Sequence, residues 1–262
     1  KKTLLAITSL ALVCGLAACS GNGKASSHTK AKGDEFTVGF DANFPPYGYK
    51  EGGEYVGFDL DLAAEVAKRN GWKLQKRPIE WDSKDMELKS GTIDCIWNGF
   101  TMNGREDNYT FSKPYVDNSI VFVTKTNSAI KTTADLKGKT VLVQADSSGL
   151  TALQDEKNKD LVASFKEMTQ VPDYNNAFMT LQAGAADAVA VDIGVAQYQL
   201  EQRGKDKFQI MNPPFHTEQY AIGFKQGNQA LRDQVQTTLD EMKKDGTFLN
   251  IATKYQLETS VI

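Results

Sequence analysis

Hydrophobic and polar positions alternate along this chain in short β-branched runs separated by longer helical arcs. Residues 36–40 (Phe-Thr-Val-Gly-Phe) read as a strand. Residues 49–58 read as a hairpin-like excursion turning at Gly52-Gly53. Asp59 stands where a helix N-cap belongs, and Leu60, Ala63, Ala64 and Ala67 then recur at helical spacing until Asn70-Gly71. A second strand at 73–79, a short helix at 86–89 stopped by Gly91, and a third strand at 93–97 complete a βαβαβ unit. The pattern then restarts. Strands are expected at 139–143, 165–168 and 188–191, with helices from Ser147 to 154, over 175–182 ended by Gly184, and over 194–202. Two such blocks in tandem predict an α/β protein of two lobes, each with a mostly parallel sheet flanked by helices. Residues 120–123 and 220–224 are extended segments placed to cross between the lobes. A helix over 229–244, stopped by Asp245-Gly246, and a short one over 248–255 return to the first lobe. The expected division is lobe 1 over 34–120 and 222–262, and lobe 2 with the hinge strands over 121–221.

The N-terminal 33 residues follow neither pattern. Lys1 and Lys2 precede an apolar run over 3–18, too short for a membrane-spanning helix and flanked as a secretory signal is. Leu16-Ala17-Ala18-Cys19 resembles a bacterial lipobox. It implies a lipoprotein signal peptide over 1–18, cleavage before Cys19, and a diacylglycerol thioether on that cysteine. Residues 19–33, rich in Ser, Gly, Lys and Ala, carry no apolar period and read as a flexible tether.

Composition narrows the picture. The 262 residues carry a net charge of -3, with 24% charged and 40% hydrophobic residues, ordinary for a globular protein. Mild acidity, with no basic run interleaved with aromatics, gives no reason to expect nucleic acid. With Cys14 in the signal and Cys19 lipidated, only Cys95 is left, so no disulfide framework is available; Cys95 reads as a buried packing residue. Gly138-Lys139-Thr140 lacks the upstream glycine of a phosphate loop, because position 133 is Thr. Asp59 and Asp61 fit a helix start better than a metal pair, and no cofactor or metal is implied.

Several stretches, in order along the folded chain, resemble the family-3 extracellular solute-binding proteins, the amino-acid receptors of ATP-binding-cassette importers. They are Asp41-Ala42-Asn43-Phe44-Pro45-Pro46-Tyr47, Val56-Gly57-Phe58-Asp59-Leu60-Asp61-Leu62, Gly91-Thr92-Ile93-Asp94, Asn98-Gly99-Phe100-Thr101 with Arg105, and Phe111-Ser112-Lys113-Pro114-Tyr115. Asp135-Leu136-Lys137-Gly138-Lys139, Gly184-Ala185-Ala186-Asp187-Ala188 with Val191-Asp192, and Lys244-Asp245-Gly246-Thr247-Phe248 follow. The resemblance implies the type II periplasmic-binding-protein fold, in which two α/β lobes joined by a two-stranded hinge close on a ligand. One departure stands out: the step from Thr101 to Arg105, through Met102-Asn103-Gly104, is one residue shorter than the family's.

What the resemblance implies for the site follows from ligand chemistry. An α-amino acid presents a carboxylate and an ammonium on one carbon. Arg105 supplies a guanidinium fork for the carboxylate, and the Thr101 hydroxyl a further donor. Ser147 and Ser148 open a helix beside the strand at 139–143 and resemble the second-lobe carboxylate clamp. The Gly99 carbonyl and Asp192 would receive the ammonium. Phe44 and Trp81 match the aromatic positions flanking the ligand side chain, and Asp41 and Gln144 those near its end. Asp41 disfavours a second ligand carboxylate and suits glutamine, arginine, lysine, histidine or cystine. The implied protein is a monomeric receptor, held by lipid on Cys19 to the outer face of a Gram-positive membrane. It would serve an ABC permease and its ATPase, and it breaks no bond. A ligand-sensing module and a dehydratase of the same fold are the alternatives; the latter needs a carboxylate pair in the cleft, which the sequence does not reveal.

Overall fold

The computed structural model describes residues 28–262. The signal peptide over 1–18, Cys19 and the tether up to residue 27 lie outside the described residues. The last part of the expected tether is bonded to lobe 1. Gln234 exchanges two hydrogen bonds with the Lys30 backbone (2.9 and 3.0 Å), Lys30 pairs with Asp94 (2.9 Å), and Gly33 N–H donates to the Gly71 carbonyl (2.8 Å). Ordered contacts therefore begin ahead of Asp34.

The chain forms two α/β lobes. In the first sheet, strands Lys73–Pro78, Glu35–Phe40 and Cys95–Ile96 run parallel in that spatial order. Gly223–Lys225 joins antiparallel to Cys95–Ile96, and Tyr109–Phe111 closes the edge. In the second sheet, Glu167–Val171, Thr140–Gln144 and Ala188–Asp192 are parallel. The long strand Val116–Lys125 lies antiparallel to the last of these and also pairs with Phe208–Ile210 and His216–Tyr220. Val116–Lys125 and His216–Tyr220 thus form a ribbon whose lower end adjoins the first sheet, where Tyr115 N–H donates to Tyr220 O and Ala221 N–H to Phe100 O (both 2.9 Å). A small meander of Asn43–Phe44, Gly48–Glu51 and Glu54–Val56 turns at Gly52-Gly53 as expected.

Several boundaries differ from the sequence reading, each for a local reason. The first helix is Phe58–Asn70 and its N-cap is Gly57, at φ 137°, where an added Cβ would meet the Tyr47 carbonyl oxygen at 2.2 Å. Asp59 is therefore inside the helix and buried; it does not cap it. The strand expected at 93–97 narrows to Cys95–Ile96 because the Asp94 side chain takes over a ladder position, accepting from Thr37 N–H at 2.7 Å. The strand expected at 165–168 lies at Glu167–Val171, preceded by the helix Lys159–Ser164, which buries no residue and so left no apolar period to read. Ser147 caps Ser148–Gln154 as expected, its hydroxyl accepting from Leu150 N–H at 3.1 Å. Cys95 is buried, and burial pushes its thiol pKa well up.

The hydrophobic core continues from one lobe to the other through a stack of rings. Tyr47 meets Phe44 and Tyr220 (centroids 5.7 and 5.2 Å apart), and Phe44 meets Tyr174 of lobe 2 (5.9 Å). Among the described residues no helix is long and apolar enough to cross a membrane.

Candidate functional site

Every parallel strand that matters ends at the cleft. Glu35–Phe40 leads to Asp41, Cys95–Ile96 to Asn98, Gly99 and Thr101, Thr140–Gln144 to Gln144, Ser147 and Ser148, and Ala188–Asp192 to Asp192. The carboxyl ends of parallel strands are where open α/β sheets bind ligands, because the chain reverses there and leaves a crevice. Here two such crevices face each other. They enclose a narrow cavity of about 10 Å³, lined by Phe44, Trp81, Asn98, Gly99, Thr101, Arg105, Gln144, Ser147, Ser148 and Asp192.

Nine of the ten residues singled out in the sequence line this cavity. The tenth, Asp41, does not. Its carboxylate accepts from Asn43 N–H and, across the cleft, from the Gln144 amide (both 2.7 Å), and it borders a neighbouring depression instead. Asn98 is the lining residue that the sequence reading left out. Its side-chain Oδ1 accepts from Asp41 N–H at 3.0 Å, tying two strand ends together.

Gly99 sits at φ 54°, and a Cβ there would meet the rings of Phe44 at 2.8 Å and Tyr220 at 2.9 Å. Only glycine allows the backbone this close approach. Its N–H donates to Asp59 at 2.6 Å, and Tyr115 O–H donates to the other Asp59 oxygen at 2.8 Å. A buried carboxylate behind the cleft therefore fixes the peptide that faces it.

Arg105 follows a turn through Gly104 (φ 77°), closed by Arg105 N–H to Met102 O at 3.0 Å, so the shortened loop still delivers the guanidinium to the cavity. That group lies over the Phe100 ring at 5.0 Å and makes one long bond to Thr101 O at 3.3 Å. Among the described residues no ion pair joins Arg105 to a carboxylate, so the fork is open to an anion.

Asp192 stands at the N-cap position of Ile193–Arg203 but makes no side-chain cap bond. Its carboxylate instead accepts from Tyr220 O–H and from the Asn118 amide (2.8 Å). Burial, then the charge of nearby Glu218, pushes its pKa well above the usual carboxylate range. Glu218 is a residue the sequence reading missed. Its Oε1 accepts from Thr101 Oγ1 (2.7 Å) in lobe 1, Ser148 Oγ (2.9 Å) in lobe 2 and Asn118 Nδ2 (2.8 Å) on the hinge ribbon. Asp192 and Glu218 are thus joined through Asn118, but only Asp192 lines the cavity; Glu218 lies behind it. At the rim the buried Lys84 pairs across the cleft with Asp146, beside the Trp81 ring (5.0 Å). Burial lowers the Lys84 pKa despite that partner.

Burial raises the pKa of Asp59 to about 7 and of Asp41 to about 6, from 3.8. The native state therefore holds protons that the unfolded chain releases near pH 4. The stability these groups supply is complete below about pH 4 and is lost as pH rises through 6 to 7. The ligand-free protein should accordingly melt at a higher temperature at pH 5 than at pH 8. Thermal scans in one buffer series check this, and a higher melting temperature at pH 8 would contradict it.

The model of the bacterial extracellular solute-binding proteins, family 3, matches residues 36–258. The chain belongs to this family. Among its relatives, the L-cystine-binding protein TcyA of Bacillus subtilis is 31% identical over 269 residues, covering 97% of each chain. The structure of an ABC uptake transporter substrate binding protein from Streptococcus pneumoniae with bound histidine aligns with a TM-score of 0.81 and 34% identity, over 84% of this chain and 92% of that one. An ancestral arginine-binding protein bound to glutamine aligns with a TM-score of 0.78 and 35% identity, over 88% of this chain and all (100%) of that one. The family's fold is the two-lobe type II arrangement described above.

Proposed function

We propose that this protein captures a polar L-amino acid between its lobes and presents it to an ABC-type import permease. One observation carries the reading: Arg105 from lobe 1 and Asp192 from lobe 2 line a single cavity with opposite charges, beside the rings of Phe44 and Trp81. That is the pattern an α-carboxylate and an α-ammonium on one carbon require. Neither lobe holds both charges, so a ligand gains its full set of contacts only when the lobes are together, and binding favours the closed form. The relatives named for cystine and histidine support an amino-acid ligand with nitrogen or sulfur in its side chain. Gln144 on the cavity wall, backed by Asp41, suits the polar end of such a side chain.

In this reading the chain acts as a monomer, without cofactor, outside the cell. The lipobox-like Leu16-Ala17-Ala18-Cys19 supports anchoring by lipid on Cys19 to the outer face of the membrane, next to the permease. Binding, closure and release are the whole cycle, and no bond of the ligand is broken.

Thermal unfolding of the purified protein against the twenty L-amino acids and L-cystine tests the proposal. A ligand at a hundred times its dissociation constant adds about 2.7 kcal/mol, or roughly 5–10 °C for a domain of this size. A shift confined to a few chemically related amino acids is expected. A flat panel would contradict the reading.

A further inference from the structure

We infer that Glu218 is a positioning residue that turns the Thr101 and Ser148 hydroxyls into hydrogen-bond acceptors toward the cavity, so that the site selects an ammonium-bearing ligand over its 2-hydroxy counterpart. The inference rests on the amino-acid reading of the same site and assigns a role to a residue that does not itself line the cavity.

A serine or threonine hydroxyl has one proton to donate and two lone pairs to accept with. Thr101 and Ser148 both line the cavity, and both spend that proton on Glu218 Oε1, at 2.7 and 2.9 Å. With the proton committed, each oxygen can offer a ligand only lone pairs, so the Thr101 hydroxyl is not the carboxylate donor expected from the sequence. The Asn118 amide adds a third donor to the same oxygen at 2.8 Å and also donates to Asp192 at 2.8 Å, which fixes the two carboxylates relative to each other. Glu218 is 5% exposed and Asp192 3%, so water does little to loosen the arrangement. The Thr101 and Ser148 hydroxyls therefore offer the cavity only lone pairs, and the Asp192 carboxylate, another acceptor, lines the same cavity. An α-ammonium has three protons to give to such a cluster. A 2-hydroxyl has one, and it leaves acceptors facing its own lone pairs, which is the costly mismatch. The ligand carboxylate is then left to Arg105, whose fork has no competing carboxylate among the described residues. The bonds to Glu218 come from lobe 1, lobe 2 and the hinge ribbon, so this polarity is set only when the lobes are together.

The test compares dissociation constants for two probes in the wild type, Glu218→Ala and Glu218→Gln. The probes are the L-amino acid that binds the wild type tightest among the twenty and cystine, and the 2-hydroxy acid with the same side chain. In Glu218→Ala the two hydroxyl protons are freed, and the preference for the amino acid should shrink by on the order of tenfold or more. In Glu218→Gln the amide carbonyl can still accept, so most of the preference should return. Melting temperatures establish that both variants are folded. If Glu218→Ala weakens both probes by the same factor, Glu218 is merely structural and the inference is overturned; if it tightens the 2-hydroxy acid and the amino acid alike, Glu218 competes with ligands and the inference is also overturned. A wild type that binds no amino acid would overturn the underlying reading, and the role of Glu218 with it. A wild type that binds, with variants that keep its preference unchanged, would overturn only the role of Glu218.

Discussion

Arg105→Ala is expected to weaken binding of every amino-acid ligand by roughly two to three orders of magnitude while leaving the melting temperature of the ligand-free protein nearly unchanged. The two halves of that expectation have different origins. Removing one partner of a desolvated, hydrogen-bonded charge pair costs about 2–5 kcal/mol, which is about thirty- to several thousand-fold in affinity. The free protein, however, gives up little with this side chain: one 3.3 Å bond to a backbone carbonyl and a stack over Phe100 at 5.0 Å. Isothermal titration with the preferred ligand, paired with thermal scans without ligand, separates the two effects. Unchanged affinity would mean that the ligand carboxylate is held elsewhere.

Asp59→Ala should do the reverse, acting first on stability. Its carboxylate is fully buried and satisfies Gly99 N–H at 2.6 Å and Tyr115 O–H at 2.8 Å. Truncation leaves both donors buried without a partner, each costing about 1–3 kcal/mol. The melting temperature should fall by roughly 4–24 °C at this size. The deficit should be larger at pH 5 than at pH 8, since burial raises the Asp59 pKa to about 7 and the wild type bears the cost of a buried charge only above that value. Affinity should fall as well, because the Gly99 peptide facing the cavity loses its anchor. Thermal scans at the two pH values check the first part. A deficit that grows with pH would show that Asp59 is stabilised as the anion, contrary to its environment.

The sequence disclosed the parts of this protein whose signal is local. The strands at 36–40, 73–79 and 188–191, and the helices ended by Gly71, Gly91 and Gly184, were legible because apolar spacing and a left-handed C-cap glycine lie within a few residues of each other. Arg105 and Asp192 stood out because each lies in a stretch that resembles the family. Glu218 was not legible. Its strand, His216–Tyr220, carries no apolar alternation to announce it, and its three partners are 117, 100 and 70 positions away along the chain. Nothing local distinguishes it from a solvated glutamate. Asp59 was misread for a related reason. Asp before an apolar helical period is a common cap, but the helix starts ahead of it, with Asp61 N–H donating to the Gly57 carbonyl at 2.9 Å. Lys84, between Ser83 and Asp85, looks like a surface residue until lobe 2 brings Asp146 to it. The misses share one cause: each of these side chains is defined by a partner from a distant segment.

The central claim, that one amino acid is gripped at both ends by opposite lobes, is tested most directly by a crystal structure of the protein with the amino acid that raises its melting temperature most. The account predicts the α-carboxylate within hydrogen-bond distance of Arg105 and the α-ammonium within hydrogen-bond distance of Asp192, with the side chain between Phe44 and Trp81. A ligand bound to one lobe alone, or outside this cavity, would contradict it.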